Sequence, residues 1–175
     1  LTGEAWNIQP FASNKFDKAL FHGMWDIYNY GLAYYEKHGK QMVASEEDLA
    51  KMFEFMNNTL NIDSLKSNFD EVNAKINLGR HPRAKMAYVR IGSYMAKKLE
   101  EAHGNDQLEK YHKNGALPFF ADYMKLTGQS ENTAFTLNNS LREFIIRCLQ
   151  DWEKTWNEEM RSFWFAPFDD LSKKM

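Results

Sequence analysis

The sequence predicts an all-α fold, a compact orthogonal or antiparallel bundle of six to seven helices. Three observations predict it. Apolar residues recur at three- to five-residue steps along most of the chain. Ser, Asn, Pro and Gly stand where such helices would start and stop. No stretch alternates apolar with polar residues as a half-buried strand does, and there is no internal repeat or low-complexity tract.

At 175 residues the chain has the size of a single domain, taken here as 1–175 with an extended arm over 1–12 and an aromatic tail over 163–175. Hydrophobic residues make up 43% and aromatics 15%, enough to fill a thick core without covalent staples. Cys148 is the one cysteine, so an intrachain disulfide and a cysteine-rich metal site are both excluded. A net charge of -2 argues against generic nucleic-acid binding, which favours a basic surface. No apolar run has the length of a membrane span, and the N-terminus lacks a signal-peptide pattern. The start at Leu1 rather than Met is that expected of a processed or truncated product, once preceded by further sequence.

Taken in order, Leu1 to Pro10 has no period and reads as an arm, docked by Trp6 and Ile8. Ser13 is the expected cap of a long helix running to His38, with Gly39 just past its end. Phe16, Leu20, Trp25, Tyr28, Leu32 and Tyr35 form its buried face, and Asn29 to Gly31 is its weak point. Ser45 followed by Glu46, Glu47 and Asp48 starts the next helix, a cap and then acids where the dipole favours them. Its apolar side is Leu49, Met52, Phe53, Met56 and Leu60. A further helix from about Asp63 carries Leu65, Phe69, Val72 and Ile76, pairs antiparallel with its predecessor and stops at Gly79.

The organising stretch is His81 to Met124. Pro82 suits a first helical turn, and the helix it opens is expected to run unbroken to Gly104. A short helix around Leu108 follows, and Pro118 opens a third with Phe119, Phe120 and Tyr123. After a turn over Thr127 to Ser130, Asn138 or Asn139 caps the last long helix. Leu141, Ile145, Cys148, Trp152 and Trp156 line one of its faces, and it ends near Ser162.

Few residues carry chemistry. There is no H-E-x-x-H, no nucleophile elbow and no glycine-rich phosphate loop. Glu100 with His103 and Glu109 with His112 have the E-x-x-H spacing of di-iron bundles. Such bundles need inward carboxylates from two further helices, and the long helices here point apolar groups inward. His22 with Asp26 and Glu36 with His38 are further pairs; His22, beside Phe21 and Met24, reads as a partly buried packing residue, with a metal or proton-transfer role as the alternative. Cys148 lies on an apolar face, where burial makes a thiol inert. Arg80, His81, Arg83 and Lys85 gather where the dipole opposes cations, which invites an anion or a partner's carboxylate; the alternative is pairing with Asp70 or Glu71. Phe163, Trp164, Phe165 and Phe168 are too apolar to stay in water as one patch, so they fold back or dock on a partner.

Tyr88, Gly92, Met95-Ala96, Glu100, Gly104 and Leu108, then Pro118-Phe119-Phe120 with Tyr123, form a pattern that resembles the C-terminal half of zinc-dependent peptidases of the gluzincin type. In that family such a tail follows a helix with a Gly-x-Ala-like signature, preceded by the glutamate that is the third zinc ligand. Gly31-Leu32-Ala33 is similar to that signature, but Tyr30 stands before it; Glu4, in Gly3-Glu4-Ala5-Trp6, is the other candidate ligand. The resemblance implies either that the catalytic histidines and general-base glutamate lie upstream of Leu1, or that the fold has lost its metal. Tyr30 favours loss, since a phenol is a poor substitute for a zinc carboxylate.

The expectation is therefore a non-catalytic scaffold or binding module without a cofactor, which docks a protein partner through the Arg80 to Lys85 cluster and the aromatic tail. Two alternatives are a zinc-peptidase fragment using Glu4 and a small-molecule or lipid carrier with Met, Phe and Trp around a cavity.

Overall fold

Eight α-helices and no strand are found among the residues that the structure, a computed structural model, describes: 14–39, 44–128 and 133–155. The all-α expectation holds. The arm, Trp156 and the aromatic tail lie outside the described residues.

Helix α1 spans Lys15–His38, and its cap is Asn14, one residue later than expected. The Asn14 side-chain oxygen accepts from the Phe16 and Asp17 amides at 2.9 and 3.0 Å. The stop at Gly39 is as expected. Leu20, Tyr28, Leu32 and Tyr35 are buried, while Phe16 and Trp25 only flank the core; Met24 and Ile27 go deeper than either.

The expected weak point of α1 is a contact point instead. Helix α5 (Ala87–His103) crosses α1 with Gly92 against Gly31. A Cβ on Gly31 would sit 2.3 Å from the Gly92 Cα, and one on Gly92 would sit 2.0 Å from the Ile27 carbonyl oxygen. Only glycines allow backbones this close. Ser93 Oγ, fully buried, donates to the Gly31 carbonyl at 3.0 Å and seals the crossing.

Helix α2 (Glu46–Thr59) starts as read, with Ser45 accepting from the Asp48 amide, and buries Leu49, Met52, Phe53 and Met56, with Leu60 just beyond its end. The single helix expected from Asp63 is two: α3 (Ile62–Ser67) and α4 (Phe69–Leu78). Asn68 breaks them apart. Its amide closes α3 on the Ser64 carbonyl, while its side chain accepts from Glu71 N to start α4.

The helix expected from Pro82 is broken too. Pro82–Ala84 is a 3-10 turn, and Lys85 and Met86 follow in the left-handed conformation with φ of 53° and 54°. Bonds from Lys85 N to Pro82 O, Met86 N to His81 O and Tyr88 N to Gly79 O fold this connection tightly back on α4. Helix α5 begins only at Ala87. Helix α6 (Asn105–Asn114) contains Leu108 as expected. Helix α7 (Ala116–Thr127) opens two residues before Pro118, which sits in the first turn where its missing N–H costs nothing. From Ala116 through Met124 every residue of α7 is buried.

Helix α8 spans Asn139–Thr155, capped by the Asn138 oxygen on Leu141 N at 2.7 Å. Asn138 also donates to the carbonyls of Asn57 and Leu60, while Asn57 donates to Thr136 O and accepts from Asn138 N. These two asparagines lock the end of α2 to the start of α8. One hydrophobic core runs from Ala19 in α1 to Leu149 in α8.

Candidate functional site

The spacing of α2 places Asp48, Lys51, Met52 and Phe55 along one edge of an open groove of about 430 Å³. Lys75 and Leu78 of α4 form the opposite edge, and Arg83, Ala84, Lys85 and Ala87 close the end. Its floor is apolar. Leu78 is the exposed large hydrophobic side chain of the described residues, at 39%, and Phe55 is anchored by its ring against Tyr88 at 5.9 Å.

The rim is cationic. Lys51 and Lys75 make exposed pairs with Glu47 and Glu71, each at 2.6 Å and one turn away on the same helix, where solvent screens them. The Lys75 hydrogen bond holds the Glu71 carboxyl below the usual glutamate range. Among the described residues neither Arg83 nor Lys85 has an acidic partner. A second hollow, of about 350 Å³, shares Asp48, Met52 and Lys85 with the groove and is otherwise lined by Pro82, Met86 and Arg90. Sequence reasoning missed Arg90. No sequence signal marked it, since Arg90 enters the first turn of a helix only because α5 starts at Ala87 and not at Pro82.

The four basic residues that are neighbours in sequence part company in space. Arg83 and Lys85 join Lys51 and Lys75 at the groove. Arg80 turns toward α1, donating to the Tyr30 hydroxyl at 2.6 Å and lying 3.7 Å from Asp26 Oδ1. His81 Nδ1 accepts from Arg83 N and caps the 3-10 turn. The expected alternative fails in its particulars, since Glu71 pairs with Lys75 and Arg80 goes to Asp26.

Asp26 is the odd group in the core. Its side chain is 3% exposed, its Oδ2 has no hydrogen bond, and His22 Nε2 is 3.8 Å away. Burial raises its pKa above the ordinary aspartate value, against the lowering pull of His22 and Arg80. His22 is partly exposed and reaches this carboxylate rather than the core.

The remaining titratable pairs do not converge. Glu100 accepts from the Tyr35 hydroxyl, and His112 bonds Glu36 across α6 and α1. The His38 ring lies tilted against that of Tyr34, with centroids 5.5 Å apart. Cys148 is buried, which pushes its thiol up to about 12. No three His, Cys, Asp or Glu side chains among the described residues come close enough to share a metal ion. Tyr30, at the position the peptidase resemblance gives to a zinc ligand, is the hydrogen-bond partner of Arg80. Glu4, Phe163, Trp164, Phe165 and Phe168 lie outside the described residues. No described helix is long and apolar enough to cross a membrane.

Compared with known proteins, the chain matches no family model, no curated protein and no solved structure.

Proposed function

We propose that the chain is a non-catalytic helical binding module whose partner-facing surface is the groove between α2, α4 and the Pro82–Ala84 turn. Its occupant is a segment of a partner protein that presents a bulky apolar side chain flanked by acidic residues. The observation that carries this is charge placed around an apolar floor: four cations against Asp48 line the groove of a chain whose net charge is -2. Leu78 and Phe55 offer the apolar contact, and the cations give register and speed of encounter. The reading calls for no cofactor, and a degenerate metallopeptidase ancestry, implied by the residue-type resemblance, is compatible with it. Phe163, Trp164, Phe165 and Phe168 supply a second apolar anchor by their composition.

Arrays of short peptides test it, with Leu, Phe or Trp at the centre and Glu, Gln or Lys on both sides. Glu-flanked peptides are expected to be retained best, to weaken as salt rises, and to be lost on Leu78→Glu. Equal retention of Lys-flanked peptides, or binding indifferent to Leu78→Glu, refutes the groove. Unchanged partner binding when Trp164 and Phe168 become Ser removes the tail from the reading.

A further inference from the structure

We propose that the hollow between Lys85 and Arg90 is an anion subsite that takes a carboxylate or phosphoryl group of the segment whose apolar side chain lies on Leu78 and Phe55. The proposal rests on the binding-module reading and deepens it. The hollow shares Asp48, Met52 and Lys85 with the groove, so one ligand can occupy both.

Three unfavourable features coincide there. Arg90 Nε is sealed from solvent without a hydrogen bond, and among the described residues its guanidinium has no carboxylate partner. Arg90 also sits in the first turn of α5, where the helix dipole repels a cation. Lys85 is held left-handed beside a left-handed Met86, a strained choice for two residues with side chains. That strain sets a second unpaired cation on the same hollow, where glycine would be the relaxed residue. An anion in the hollow offsets the second and neutralises the charge of Arg90 without reaching the sealed Nε, because a guanidinium fork accommodates planar and tetrahedral oxyanions alike. Asp48, the one acid of the lining, accepts from Ser45 Oγ at 3.1 Å and is in no ion pair with Arg90. The hollow therefore stays positive.

The test is NMR of the full chain, following the Arg90 Nε–H and the side chains of Lys85, Leu78 and Phe55. The probes are 4-phenylbutyrate, phenyl phosphate and the neutral 4-phenylbutanol. At least one anion is expected to shift Arg90 and Lys85 saturably, and the alcohol only Leu78 and Phe55. The tighter anion assigns the group as carboxylate or phosphoryl. Arg90→Gln and Lys85→Gly are each expected to weaken anion binding by about tenfold while leaving alcohol binding intact, the loss of one charge-assisted hydrogen bond. Intact alcohol binding also shows that the variants fold. Anions that leave Arg90 unmoved, or that bind Arg90→Gln equally well, overturn the subsite. If the alcohol still shifts Leu78 in that case, the groove stands without it. If no probe moves Leu78, the groove reading falls as well.

Discussion

Replacing Gly92 by alanine is the sharpest probe of the α1–α5 crossing, because helix propensity and packing push in opposite directions. Propensity alone favours alanine by about 1 kcal/mol in a helix interior. Packing opposes it, since the new Cβ would lie 2.0 Å from the Ile27 carbonyl oxygen and 2.8 Å from the Gly31 Cα. A carbon meets a carbonyl oxygen at about 3.3 Å, so the helices must part by more than about 1 Å. Both contacts are backbone, and no side chain can rotate away. Parting also stretches the 3.0 Å bond from Ser93 Oγ to Gly31 O, worth about 1 kcal/mol, and loosens the surrounding core. Overpacking of this kind costs about 1–3 kcal/mol, and the lost hydrogen bond and the gained propensity roughly cancel, so the net expectation is a loss of about 1–3 kcal/mol. Urea unfolding followed by circular dichroism measures it, with Ser93→Ala as the control that removes the hydrogen bond but adds no bulk. A Gly92→Ala protein as stable as the parent shows that the crossing is not held at backbone distance.

The other predictions concern strain, charge and capping. Lys85→Gly is expected to stabilise the fold by up to about 1 kcal/mol, read as a rise in thermal midpoint, because glycine adopts the left-handed conformation without penalty; a fall contradicts the strain. Asp26 holds its proton more tightly when folded than when unfolded, so stability should fall as pH rises from about 3.8 through its raised pKa. Asp26→Asn should flatten that decline, and urea midpoints measured from acid to neutral pH with an unchanged slope count against it. Asn138→Ala removes the α8 cap and leaves the Asn57 and Leu60 carbonyls short of a donor, for a loss of about 2–3 kcal/mol by thermal melting. Ser45→Ala, at an exposed cap, should cost less than half of that.

What the sequence made legible was local. Ser45 with its acids, the Leu49 to Leu60 face and the stops at Gly39, Gly79 and Gly104 depend on neighbours within a turn or two, and each is where it was expected. The break at Asn68 escaped because Leu65, Phe69, Val72 and Ile76 keep helical spacing across it. Periodicity cannot see a cap that leaves the period intact. The Lys85–Met86 break carried no glycine to announce it. Gly31 was read as a defect of one helix, because its use depends on Gly92, 61 positions away. The candidate site shows the same limit. The basic run was visible as a run, but Arg80 leaves it for Asp26, and Lys51 and Lys75 join it from other helices. Local charge is written in the sequence; which charges share a surface is decided by tertiary packing.

Helix α7 has a consequence for how the chain is made. Its residues from Ala116 through Met124 touch α1, α5 and α6 on the one hand and α8 on the other. During synthesis the first three are already outside the ribosome when α7 emerges, but α8 is not. A greasy cylinder is then left bare along one flank until the residues up to Leu149 have emerged in their turn. Chains halted before that point would be expected to need a chaperone, whereas those released after it can close the flank unaided.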